Sequence, residues 1–105
     1  MLESKFQSKL IRDLKIMFPG CIVLKNDANY IQGFPDLTVL YNNSWAVLEC
    51  KRSLNECYRP NQEYYISVCN QMSFGSMICP ENRKDVLDEL QRSFSSRRAA
   101  CRARC

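Results

Sequence analysis

The sequence predicts an α/β domain, a central mixed sheet of about four strands flanked by helices. Three observations predict it. Residues 2–17 place apolar side chains at helical spacing. Residues 36–51 hold two β-type runs joined by a turn cluster. The rest of the chain alternates helical and strand patterns, so the order reads α-β-β-β-α-β-α, with no internal repeat.

In the first segment Leu2, Phe6, Leu10, Leu14 and Met17 follow one another at spacings of 4, 4, 4 and 3, one stripe of an amphipathic helix. Pro19-Gly20 ends it. Cys21-Ile22-Val23-Leu24 is a short apolar run rich in β-branched residues and reads as a strand. Residues 26–33 are polar and loop-like. Tyr41-Asn42-Asn43-Ser44 separates the runs 36–40 and 45–51, which predicts an antiparallel hairpin. Residues 53–60 connect it to a helix over 61–72, with Tyr64, Tyr65, Val68 and Met72 as apolar positions and Pro60 suited to its first turn. Ser76-Met77-Ile78-Cys79 reads as a fourth strand, and a last helix is expected from Pro80 to about Ser93.

At 105 residues the chain is one domain, taken as residues 1–94, with a basic tail over 95–105. That tail has no apolar period and reads as a disordered basic arm, a helical extension or vector-derived sequence. Of the net +4, the five arginines of residues 92–105 supply +5 and residues 1–91 carry −1, so overall basicity is no argument for nucleic-acid binding by the domain. No run approaches the roughly 20 apolar residues of a membrane span, and Met1-Leu2-Glu3-Ser4-Lys5 lacks the apolar core of a signal peptide. The expectation is an intracellular, cytoplasmic protein with no membrane partner.

Histidine is absent, which excludes histidine zinc sites, Ser-His-Asp triads and Cys-His nucleophiles. The seven cysteines are irregularly spaced, with no Cys-x-x-Cys pair, and read as reduced structural thiols.

What remains for chemistry is Asp36, Glu49 and Lys51. Strand alternation puts Trp45, Val47, Glu49 and Lys51 on one face and Ala46, Leu48 and Cys50 on the other. Asp36, directly after Pro35, converges on Glu49 from the paired strand. Two carboxylates and the Cys50 backbone carbonyl form an oxygen-donor set for a hard divalent cation, with a lysine beside it. A solvated acid–base pair on an edge strand is the competing reading.

Gly33-Phe34-Pro35-Asp36, Glu49-Cys50-Lys51 and Arg59-Pro60-Asn61-Gln62, with Glu3 on the first helix, resemble the PD-(D/E)XK nuclease superfamily. The likeness is to its compact VRR-NUC and phage or archaeal Holliday-junction-resolvase types, over about residues 2–80. The resemblance implies a restriction-endonuclease-like α-β-β-β-α-β core and Mg²⁺- or Mn²⁺-dependent DNA cleavage. It makes Asp36 and Glu49 metal ligands, with Glu3 a further candidate, Lys51 the catalytic lysine, and Gln62 a residue positioning water or phosphate. It also implies branched DNA, such as a Holliday junction or flap, as substrate, in a phage or mobile-element setting.

Lys25, Tyr30, Phe34, Arg52 and Arg59 are candidate nucleic-acid contacts, the two aromatics by stacking on an unpaired base. Asp27 reads as a loop residue. A homodimer would supply two sites for two strands, with the helix bearing Tyr64, Tyr65 and Met72 as a candidate interface. Two alternatives stay open: a catalytically inactive nucleic-acid-binding or interaction module on the same fold, and a zinc- or thiol-based protein.

Overall fold

The amphipathic stripe at the N-terminus folds as helix α1, Glu3–Met17, burying Phe6, Leu10 and Leu14. In the computed structural model, which describes residues 2–104 and side chains as far as residue 96, six further elements follow. They are β1 (Ile22–Lys25), β2 (Leu37–Tyr41), β3 (Ser44–Cys50), α2 (Gln62–Met72), β4 (Gly75–Ile78) and α3 (Arg83–Arg104). The order is the expected one.

The four strands form one sheet in the order β1-β2-β3-β4. β1, β2 and β3 pair antiparallel, and β4 lies parallel to β3. Asn42 takes a positive φ of 54° in the β2–β3 turn, a conformation asparagine tolerates better than most residues. A parallel pair needs a long crossover, and residues 51–74, carrying α2, provide it.

Alternation sorts the sheet into two faces. Leu37 pairs with Leu48 and Val39 with Ala46, and these four join Cys50, the α1 stripe and Val86, Leu87, Leu90 and Phe94 of α3 in one buried cluster. Each fully buried leucine there contributes roughly 1.5–3 kcal/mol of transfer free energy. Arg83 at the start of α3 pairs with Asp13 of α1, tying the two helices together. Glu49 and Lys51 point the opposite way, towards α2. That helix lies tight on β4 because residue 75 is glycine: a Cβ there would stand 2.7 Å from the Ile66 carbonyl oxygen.

Three expectations need correction. Helix α2 starts at Gln62, because Asn61 before it adopts a left-handed φ of 71°, so Pro60 lies outside the first turn. Its buried residues are Gln62 and Cys69, while Tyr64 is 63% and Met72 57% exposed. Tyrosine tolerates a wet hydroxyl, so the aromatic count misplaced the inward face. Helix α3 runs past Ser93 to Arg104, making the backbone of residues 95–104 helical. Alanine and arginine are strong helix formers and need no apolar stripe to continue a helix. From residue 97 onward the side chains, with the thiols of Cys101 and Cys105, lie outside the described residues.

Cys21, Cys50, Cys57, Cys69 and Cys79 are free thiols. Among the described residues no helix is long and apolar enough to cross a membrane.

Candidate functional site

β3 delivers the site. It is paired on both sides, so Glu49 and the adjoining Lys51 leave the middle of the sheet rather than an edge. The Lys51 amide still donates to the Ile78 carbonyl at 2.9 Å, continuing the ladder past Cys50. On the other side the register carries Asp36, one step beyond the Leu37–Leu48 pair, to the position opposite Glu49. The Cys50 N–H donates to Asp36 Oδ2 at 2.9 Å, which pins that carboxylate against β3. The edge-strand reading of Glu49 and Lys51 therefore does not apply.

Gln62 sits 8% exposed at the start of α2 and joins the site by its amide. Its Oε1 accepts from Lys51 Nζ at 2.8 Å and from the Arg59 N–H at 2.7 Å. Its Nε2 donates to Glu49 Oε2 at 3.0 Å. Lys51 Nζ also donates to the Cys57 carbonyl at 3.3 Å and lies 3.8 Å from Glu49. The Tyr58 ring stands 5.7 Å from the ammonium, within cation–π range.

Glu49 Oε1 is buried and makes no hydrogen bond of ordinary length and angle, although the Asp36 N–H and carboxyl lie close enough to the Glu49 carboxyl to act on it. A buried carboxylate oxygen without such a bond is costly, and native structures rarely leave one so without a reason. Burial, followed by the neighbouring Asp36 charge, pushes the Glu49 carboxyl up to about 8. Asp36 is also raised, mainly by burial, against the opposing effect of the Cys50 N–H. Glu3 is raised by burial and then by Asp36 and Glu56. Behind the site, burial first and Asp36 second push the Cys50 thiol up to about 12, so it behaves as a small apolar side chain.

These groups face a cavity of about 220 Å³, whose lining includes Glu3, Asp36, Glu49, Glu56, Lys51 and Arg59. Four carboxyl groups against two cations make it a poor host for phosphate on its own. Gly33, at φ +86°, closes the opposite wall: a Cβ there would lie 2.6 Å from the Pro60 carbonyl oxygen and 2.7 Å from Asn61 Cβ. Only glycine lets the loop before β2 touch the turn before α2 this closely.

Comparison of the chain with models of protein families, with curated proteins and with solved structures gave no match.

The structure thus brings together Asp36, Glu49, Lys51 and Gln62, with Glu3, Phe34 and Arg59 on the same cavity. Lys25, Tyr30 and Arg52 lie outside its lining. Arg52 is engaged at the surface, its Nε donating to Glu56 Oε2 at 2.9 Å. Asp27 is a loop residue whose Oδ1 accepts the Asn29 N–H at 2.8 Å. Sequence reasoning missed Glu56, which reaches within 4.0 Å of Lys51 from an aperiodic connection. An acid five residues after a site lysine is a faint signal, and no periodicity singled it out.

The donors suit a hard cation. Among the described residues no group of three His, Cys, Asp or Glu side chains is placed to hold a metal by itself. Mg²⁺ needs no such cage, being held by one or two carboxylates and retaining water. Asp36 and Glu49, both on the cavity wall, fit that requirement, and Glu49 Oε1 is the atom a cation would satisfy.

Proposed function

We propose that this protein is a metal-dependent endonuclease of the PD-(D/E)XK type, hydrolysing DNA phosphodiester bonds, with branched DNA such as a Holliday junction or flap as its substrate. The observation that carries the reading is Glu49 Oε1, buried without an ordinary hydrogen bond in a cavity where carboxylates outnumber cations. Asp36, Glu49 and the Cys50 carbonyl would hold Mg²⁺ or Mn²⁺. When bound, such an ion polarises a phosphate oxygen and makes water a better nucleophile at neutral pH.

The remaining roles fall to the chain itself. Glu49 carries a proton near neutral pH and releases it when positive charge arrives, because only the anion is a ligand. Lys51, held by Gln62 and the Cys57 carbonyl, presents a fixed ammonium that stabilises charge gathering on the phosphoryl oxygens. Gln62 acts through Lys51 and Glu49, fixing the distance between cation and acid. Arg59 on the cavity wall offers a second positive charge to the strand. A symmetric dimer would give two sites for two strands, and the exposed Tyr64–Met72 side of α2 is a surface for it.

The test is a panel of junction, flap, single-stranded and duplex DNA, each with Mg²⁺, Mn²⁺ or EDTA. The expected result is cleavage that depends on the metal and is lost in Asp36→Ala and Lys51→Ala. Wild-type protein that binds but never cuts would instead establish a catalytically inactive binding module. Equal cleavage by either variant would remove these residues from the mechanism.

A further inference from the structure

The loop between β1 and β2 builds a second concavity that the proposed hydrolysis does not use. A cleft of about 410 Å³ is lined by Asn26, Asp27, Tyr30, Ile31 and Phe34, within the roughly 300–1,000 Å³ of small-ligand sites. Phe34 also lines the carboxylate cavity, so one ring forms a wall shared by both.

The loop is ordered by its own hydrogen bonds. The Tyr30 N–H donates to the Asp27 carbonyl at 3.1 Å and the Phe34 N–H to the Ile31 carbonyl at 3.2 Å. Asn26 ties its base down, Nδ2 donating to the Pro35 carbonyl at 2.8 Å and to Thr38 Oγ1 at 2.9 Å. Tyr65 braces Phe34, with ring centroids 5.5 Å apart. Tyr30 is the contrast: it is 84% exposed, a large aromatic surface held in water at the mouth of a cleft.

We infer that this cleft receives an unpaired nucleobase from the strand whose phosphate enters the carboxylate cavity, an inference that rests on the nuclease reading. Phosphate is not the occupant, because no lysine or arginine lines the cleft and Asp27 places a carboxylate in it. A neutral planar ring with N–H donors on its edge suits both features. Its face stacks on Tyr30 and Phe34, and its edge donates to Asp27, which spends only Oδ1 on the Asn29 N–H in the turn. Pairing would occupy that edge and stacking within a duplex would cover that face, so the cleft selects a base already released. The shared Phe34 wall makes base and phosphate neighbours along one strand. The substrate class is therefore DNA with an unpaired nucleotide beside the cut, at a flap, a strand end or an open branch point.

2-Aminopurine, placed as the unpaired nucleotide of a flap oligonucleotide, reports this stacking by fluorescence quenching on titration with protein, with Ca²⁺ replacing Mg²⁺. Wild type should quench it, Tyr30→Phe should do the same, and Tyr30→Ala should lose roughly 5- to 150-fold in affinity. Tyr30 is exposed, and circular dichroism checks that the alanine variant is folded. Failure to bind, binding without quenching, or superimposable wild-type and Tyr30→Ala titrations overturn the inference. Cleavage of the same oligonucleotide in Mg²⁺ is read separately. Cutting without quenching removes the base cleft and leaves the nuclease, whereas Tyr30-dependent quenching without cutting does the reverse.

Discussion

Replacing Glu49 by glutamine should make the metal-free protein more stable, and increasingly so as pH rises. The carboxyl moves from 4.5 to about 8 on folding, through burial and then the Asp36 charge. At roughly 1.4 kcal/mol per pKa unit, full ionisation in the folded state carries a penalty on the order of 5 kcal/mol, about 3 of which applies at pH 7. The sign follows from proton counts. Below pH 4.5 both states hold the proton and no penalty exists; between 4.5 and 8 the unfolded chain has released it while the folded chain keeps it, so stability falls as pH rises. Above 8 the loss is complete. Glutamine keeps the contact, since its amide oxygen still accepts from Gln62 Nε2, but has nothing to titrate.

Thermal unfolding of both proteins in EDTA from pH 4.5 to 9 is the assay. The melting temperatures should differ by a constant at the acid end and diverge towards pH 8 in favour of Glu49→Gln, by roughly 20 °C. Millimolar Mg²⁺ should then flatten the wild-type curve and leave the variant unchanged, because a ligand of the native state stabilises only the protein that binds it. Parallel curves between pH 5 and 8 would refute the reasoning, as would equal Mg²⁺ stabilisation of both proteins.

Gly33→Ala should destabilise the protein by about 2–4 kcal/mol, because φ +86° is strained for alanine and the new Cβ meets the Pro60 carbonyl oxygen at 2.6 Å; chemical denaturation measures it, and a loss under 0.5 kcal/mol would mean the two loops are not clasped. Gln62→Leu should leave the Lys51 and Glu49 heavy atoms without their shared amide partner, lowering stability by roughly 1–3 kcal/mol and cleavage at least tenfold; unchanged cleavage would make Gln62 a structural brace with no part in the reaction.

Asp36, Glu49 and Lys51 were legible because their positions follow from rules that act locally. A two-residue turn fixes hairpin register, register sets Asp36 opposite Glu49, and alternation sends Glu49 and Lys51 to the face away from Cys50. Gln62 was singled out by the family resemblance alone, since the helix pattern pointed to other residues as the inward face. Glu56 was not legible, because residues 51–61 have no period and their path depends on the contact between Gly33 and Asn61. The inward face of α2 was misplaced for a related reason. The polar amide of Gln62 and the small Cys69 are drawn inside by the site and by close packing on β4, which override an apolar count. The extent of α3 was hidden because helix propensity, unlike amphipathicity, leaves no stripe.

The double pairing of β3 ties the site's fate to that of the whole molecule. A strand bonded along both edges opens only when the sheet does, so the Lys51 amide should exchange its proton by global unfolding while the 26–36 and 52–61 segments exchange by local opening. Glu49 and Lys51 are therefore held by the sheet itself, and adaptability is left to the loops around them. Leu48 and Cys50, facing the core, alternate along the backbone with Glu49 and Lys51. A methylene added or removed on that side shifts a carboxyl group on this one, so the packing of the core and the geometry of the site cannot be altered independently.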